Sequence, residues 1–337
     1  MAYRLKLNEP IDDAFRRIAA EQIDNAIHEL ADGKDRVAAV HETRKVLKRI
    51  RALLKLVRSG LPREVYKHEN VRFRDISRSL AGTRDRDVLR ATAARLAEGA
   101  SAKARKTAAA LMSDHGDDAE DAPGAAKPAV RDAIDALEKA RTDLATLRFD
   151  KKGFSVVRRG LKASYRAGRS AMHEVLDEHH DEEFHEWRKG VQAHWRQMQL
   201  LTRAWPGVFE ARAALAKEVS ELLGEDHDLA VLIDRLAAHV MEQGEDSGGV
   251  ELIAAARLRQ EVIRRELRPK GNALYAESPA EFVDRIGAYW TAAKAARRIA
   301  RAGEAEGGET GKALDKPVAR AKSARKAAVR KTAPRSK

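Results

Sequence analysis

The chain is 337 residues long and has no cysteine, which excludes disulfides, zinc–thiolate centres and thiol catalysis. It carries 65 Lys and Arg against 52 Asp and Glu, a formal net charge of +13, so its partners are expected to be anionic. Ala, Leu, Glu, Arg and Lys dominate and aromatics are scarce, a balance that favours an all-α protein with core enough for one large or two modest domains.

The opening residues, Met1 to Lys6, lack the apolar core of a signal peptide, and no apolar run approaches membrane-spanning length; a soluble, cytoplasmic protein is expected. Residues 10–31 read as an amphipathic helix with Pro10 in its first turn and Phe15, Ile18, Ile23, Ile27 and Leu30 as core, ended by Gly33. The next helix, stopped between Ser59 and Pro62, organises the rest of the chain. Val40, Leu47, Ile50, Leu54 and Val57 recur at steps of three and four, the mark of a buried face. His41, Arg44, Lys48, Arg51, Lys55 and Arg58 recur one residue out of register, which places a cationic stripe about 100° round the same helix. Lys45 and Arg49 widen it, and Glu42 is the only acid in the stretch 41–58. A merely solvated face would intersperse opposite charges, because like charges at these spacings destabilise a helix. The pattern predicts a docking rail for a polyanion.

A third helix over 63–81 places Val65, Val71, Phe73, Ile76 and Leu80 inward and Lys67, Arg74 and Arg78 on another face. Gly82 and Thr83 break it, and a fourth helix over 84–98 begins with Arg84 and Asp85. Helices at 101–112 and 127–148 flank an acidic, Gly- and Pro-rich stretch, 113–128, read as a mobile loop in which His115 is solvated rather than metal-bound.

A second copy follows. His185, Glu186, Trp187, Arg188 and Lys189 repeat His41, Glu42, Thr43, Arg44 and Lys45 at an offset of 144. The run from His227 to Leu232 repeats that from Arg84 to Leu89 at an offset of 143, so the chain reads as a tandem duplication. Helices are predicted at 153–176, 180–204, 206–223, 226–243, 247–268 and 278–302, with breaks at Pro206, Gly224, Pro269 to Gly271, and Pro279. Arg159, Lys162, Arg166 and Arg169 fall in register on the first of these, with Arg158 beside them, and predict a second rail. From Gly303 a Gly/Glu linker leads into an Ala/Lys/Arg/Pro tail that cannot bury enough apolar surface to fold alone. Lys312 to Lys337 hold ten cations and one acid, which leaves 55 cations against 51 acids elsewhere. The rails must therefore be segregated from acidic surface.

No phosphate-cradling Gly-rich loop, Gly-x-Ser-x-Gly elbow or His-Glu-x-x-His pair is present. His173, His179, His180 and His185 come nearest to metal spacing, but the acids around them read as an exposed helix end. His227 and Asp228 fit either a base–orienter pair, for which no nucleophile is in evidence, or a helix start capped by the Asp. Neither a cofactor nor catalysis is expected. An exposed cation–phosphate contact yields about 0–1 kcal/mol, whereas micromolar binding needs about 8 kcal/mol. Only a long polyanion spanning many cations would bind tightly, with steep salt dependence and, through histidine, higher affinity at lower pH.

The ordered set His41-x-x-Arg44-Lys45-x-x-Lys48-Arg49-x-Arg51, Glu69, Asn70, Arg74, Asp75, Arg78, Arg84 and Asp85 is followed in the second copy by His185 to Lys189, His194, Trp195, Trp205, Pro206 and the run Leu223 to Leu229. Over about residues 3–302 this resembles the CHAD family, the conserved-histidine α-helical domain. The resemblance implies two pseudo-symmetric helical bundles, about 3–150 and 151–302, around a basic groove or pore, with the disordered tail 303–337 outside. It implies inorganic polyphosphate as ligand, and the leading reading is a non-enzymatic polyphosphate-binding protein targeted to polyphosphate granules. The contacts it implies are His41, Arg44, Lys45, Lys48, Arg49, Arg51, Lys55, Arg74 and Arg78 from unit one. Unit two would add Arg159, Lys162, Arg166, Arg169, His185, Arg188 and Lys189. Gly190 and Gln192 depart from the pattern, which weakens the second rail. Two other readings remain: a nucleic-acid-associated protein acting through its tail, and a metal-dependent phosphate-handling enzyme, which lacks the carboxylate cluster a hard cation needs.

Overall fold

The computed structural model describes residues 3–80, 84–113, 126–151, 153–177, 181–244 and 248–314, and the regular structure among them is entirely helical. The helices are α1 (Ile11–Asp32), α2 (Arg36–Val57), α3 (Arg63–Ser79), α4 (Arg84–Ala97), α5 (Ala102–Ser113), α6 (Ala126–Ala145), α7 (Phe154–Asp177), α8 (Asp181–Leu201), α9 (Pro206–Gln243), α10 (Gly249–Leu274) and α11 (Pro279–Leu314). The chain forms two units, Met1–Trp290 and Thr291–Lys337. The cavities and cationic faces described below lie in the first.

Asp35 starts α2 by accepting hydrogen bonds from the backbone N–H groups of Val37 and Ala38 at 3.0 and 3.1 Å. Leu47, Ile50, Leu54 and Val57 are buried as their spacing predicts, and Val46, Leu53 and Leu56 widen the buried face. That face meets α1, α3, α7 and α8. Helix α8 packs on α7, α9 and α2, so the two central helices lie side by side, and α2 packs on α7 of the second copy as well as on α1 and α3 of its own. The duplication shows at their ends. Each runs into a short 3-10 turn, Arg58–Gly60 or Thr202–Ala204, and a proline then opens the next helix, Pro62 before α3 and Pro206 within α9. The N-terminal segment ties both together: Leu5 N–H donates to Leu200 O at 2.8 Å and the Tyr3 hydroxyl to Arg49 O at 2.8 Å.

Four sequence expectations give way. Helix α9 is continuous through Gly224, so His227 and Asp228 sit mid-helix and Asp228 caps no helix start. Helix α10 runs through Pro269 to Leu274; the proline removes one backbone donor, but burial of Leu267, Gly271 and Leu274 holds the helix on. Helix α11 extends to Leu314, past the predicted linker start at Gly303, since adding residues to an existing helix needs no new nucleus. Val71, read as core, is 40% exposed, and the buried position of that turn belongs to Glu69. Residues 114–125 with His115, His179 and His180, and the tail from 315 onward lie outside the described residues.

Candidate polyanion-binding site

Where α2 faces α8, cations from the two copies meet. His41, Arg44, Lys48 and Arg49 of α2 and Arg188, Gln192 and Arg196 of α8 line a cavity of about 440 Å³, closed by Arg95 of α4 and by Gly224 and Asp228 of α9. A second cavity of about 430 Å³ shares Arg44, Lys48, Arg188, Gln192 and Asp228 and adds Arg51, His185, Lys189 and His227. The two form one trough. At its other end a larger hollow of about 940 Å³ shares Arg49, Trp195 and Gln199 and has walls of mixed charge, including Arg17, Lys217, Glu21 and Asp24.

The Arg188 side chain explains the glycine inside α9. A Cβ at Gly224 would lie 3.2 Å from an Arg188 guanidinium nitrogen, so the missing side chain gives that guanidinium its place against α9. Gly190, by contrast, is not a lost cation: a Cβ there would stand 2.5 Å from Gly168 Cα, and the glycine pair lets α8 cross close to α7. Gln192 does line the trough, a neutral group where the first copy has Lys48.

Several cations are held in strained company. Burial lowers the pKa of Lys55, reinforced by neighbouring Arg51, Lys189 and Arg58 and opposed by Glu186. Arg51 is lowered chiefly by burial and also by Arg74 and Arg78 of α3, neither of which lines a trough cavity. The Arg51 Nε donates to Asn70 Oδ1 at 3.1 Å, a neutral acceptor. His185, whose ring centroid is 4.9 Å from that of His227, is pushed below its ordinary pKa by burial and then by Lys189, His227 and Arg188. An arriving anion would relieve all three groups.

The cations read as rails, expected to be segregated from acidic surface, have acids beside them. Lys45 pairs with Glu42 at 2.6 Å, Lys189 with Glu186 at 2.5 Å and Arg74 with Asp75 at 2.9 Å. On the α9 wall, Glu225 accepts two hydrogen bonds from Arg259 at 2.8 and 2.9 Å, and Glu221 pairs with Lys217 at 3.1 Å, so both are drawn to other cations; Asp228 lines the trough as well.

The α7 row lies elsewhere. None of Arg159, Lys162, Arg166 and Arg169 lines either trough cavity. The α7 residues turned toward α2 and α8 include Ala163, Ser164, Ala167 and Ala171, and at about 100° per residue the cation row is centred about 120° round the helix from them. Arg169 Nε donates to Tyr275 O at 3.2 Å and Arg158 pairs with Asp284 of α11, so the row faces the corner where α10 gives way to α11. Tyr165, stacked on Phe282 with centroids 4.1 Å apart, fixes that orientation.

Sequence reasoning passed over Arg95 and Arg196. Arg95 follows the trough-lining Val88 by seven residues and so shares its face of α4. Arg196, only 6% exposed, sits over the Trp195 ring at 4.7 Å, and burial pushes its pKa down to about 10. Among the described residues no three His, Asp or Glu side chains are placed to hold a metal ion, and no helix is long and apolar enough to cross a membrane.

A duplicated all-α domain with a cationic trough at the junction of its copies is the class of protein these observations define. The chain matches the CHAD domain over residues 15–237 and belongs to the CHAD family, whose domains in general bind polyphosphate. No curated protein matches it.

Proposed function

We propose that this protein binds inorganic polyphosphate without chemical turnover, with the chain laid along the α2–α8 trough, and that this binding places it on polyphosphate granules. The observation that carries the reading is the meeting of Arg44 and Lys48 from the first copy with Arg188 and Lys189 from the second around connected cavities. The contacts assigned are His41, Arg44, Lys45, Lys48, Arg49, Arg51, Lys55, Arg74, Arg78, His185, Arg188 and Lys189. The α7 row is left out because it faces away. Labelled polyphosphate should bind the full chain, and duplex DNA at equal phosphate should displace it poorly; equal displacement would favour the nucleic-acid reading. Incubation with a divalent metal should release no orthophosphate.

Two expected results follow from the same residues. Gly224→Ala should keep or raise Tm, since alanine is about 1 kcal/mol the better helix former, yet weaken polyphosphate binding roughly fivefold by displacing the Arg188 tip; melting and titration of one preparation would show both. Acidification should act with opposite signs on stability and binding. His185 has a lowered pKa when folded, so the stability it contributes is present above its unfolded value and is lost as pH falls through that value toward the folded one. Bound polyanion favours the charged imidazole, so affinity should rise over the same interval, and His185→Gln should flatten the affinity profile in a titration series across pH.

A further inference from the structure

Past Lys189, α2, α3, α7 and α8 enclose a separate hollow of about 200 Å³. One side of it is cationic, with Lys55, Arg58 and Lys189. The other is a floor of small residues, Ala163, Ala167 and Ala171 of α7 with Gly190 and Ala193 of α8. Tyr66 of α3 forms a third wall, with the Arg58 guanidinium 5.9 Å from its ring centroid.

A bare phosphate chain gains nothing from such a floor, because its oxygens lose water against methyl groups with no donor in return. A ligand with one flat, largely apolar end and one anionic end matches both sides. The floor also carries polar handles. Ser164 Oγ accepts from Gln197 Nε2 at 2.9 Å, while its own hydroxyl proton has no acceptor among the described residues. Ser164 can therefore donate to a ring nitrogen or a sugar oxygen. Glu186 uses one carboxylate oxygen on Lys189, which leaves the other to accept from a sugar hydroxyl. The volume lies below the roughly 300–1,000 Å³ of a site for a drug-sized ligand, so a single ring system fills it and the remainder must extend outward. Lys189 lines both this hollow and the trough, and that is the way out.

We propose that this hollow takes the nucleoside end of a nucleoside polyphosphate, whose phosphates lie along Lys55, Lys189 and Arg51 where the trough begins. The phosphate half rests on the reading of the trough given above; the nucleoside half does not. Phosphate oxygens beside Lys55 would offset the burial and the cationic neighbours that lower its pKa.

The test is calorimetric titration of the full chain with ATP and with inorganic tripolyphosphate, in one metal-free buffer. ATP should bind about fivefold tighter or better. Ala167→Leu, at an exposed position, fills the hollow without threatening the core; it should erase that advantage and leave tripolyphosphate affinity unchanged. Tyr66→Ala should diminish the advantage too. Equal or weaker binding of ATP by the unaltered chain overturns the inference, as does an advantage that survives Ala167→Leu. A chain that ignores the nucleoside but holds long polyphosphate refutes this inference alone. One that holds ATP but not long polyphosphate refutes the trough reading instead.

Discussion

Replacing Arg44, Lys48 and Arg188 together by glutamate is expected to lower polyphosphate affinity about a thousandfold or more and leave helix content unchanged. These three side chains line both trough cavities and come from both copies of the motif. A fully exposed cation yields about 0–1 kcal/mol, but hydrogen bonds to charged groups at partly buried positions contribute about 1.5–3 kcal/mol each. Taking the lower bound for three gives about 4.5 kcal/mol, or about a thousandfold, before the repulsion of the new carboxylates is added. The core stripe of α2 and the buried face of α8 are untouched, since Leu47, Ile50, Val191 and Met198 carry them. Three lost contacts should also flatten the dependence of log affinity on log salt by about 2. Titration across a salt series with circular dichroism on the same sample reads all of this. Binding within tenfold of the unaltered chain would mean that the trough is not where the polymer lies.

The central helix was legible because steps of three and four assign residues to one face, whatever that face meets. His41, Arg44 and Lys48 needed only this, and His185, Arg188 and Lys189 needed only the offset of 144. The α7 row shows what spacing leaves open. Arg159, Lys162, Arg166 and Arg169 share a face as their spacing requires, but spacing says nothing of which neighbour that face turns toward. Gly160, Tyr165 and Gly168 decide it, through contacts with Leu56, Phe282 and Tyr275 that are far away in sequence. Gly224 and Pro269 mislead for a related reason. Each is a local helix breaker, yet Leu223 and Leu229, or Leu267 and Leu274, are buried on either side, and tertiary burial outweighs a local preference of about 1–3 kcal/mol. Gly190 and Gly224 look alike in sequence; one admits a helix and the other a guanidinium.

Gly160→Ala is expected to destabilise the protein by about 3 kcal/mol or more, a fall in Tm of roughly 6–12 °C. Helix propensity alone predicts the opposite sign, a gain of about 1 kcal/mol for alanine within α7. A Cβ at position 160, however, would stand 1.9 Å from Leu56 O, 2.6 Å from Leu56 C and 2.7 Å from Lys55 O. These are backbone atoms of the last turn of α2 and cannot swing aside as a side-chain tip can. Either α7 lifts away from α2, which exposes Val157 and Leu161, or the α2 turn deforms. Gly207, near the start of α9, supplies the control: a Cβ there meets no heavy atom within 4 Å, so Gly207→Ala should leave Tm nearly unchanged. The turn at stake also carries Lys55 and Arg58, two cations of the hollow at the end of the trough. Gly160→Ala should therefore lose the preference for ATP over tripolyphosphate even at temperatures where it stays folded, while Gly207→Ala keeps it. Thermal and denaturant unfolding of the two variants side by side, followed by titration below both transitions, tests the close crossing of α2 and α7; equal behaviour of the two would contradict it.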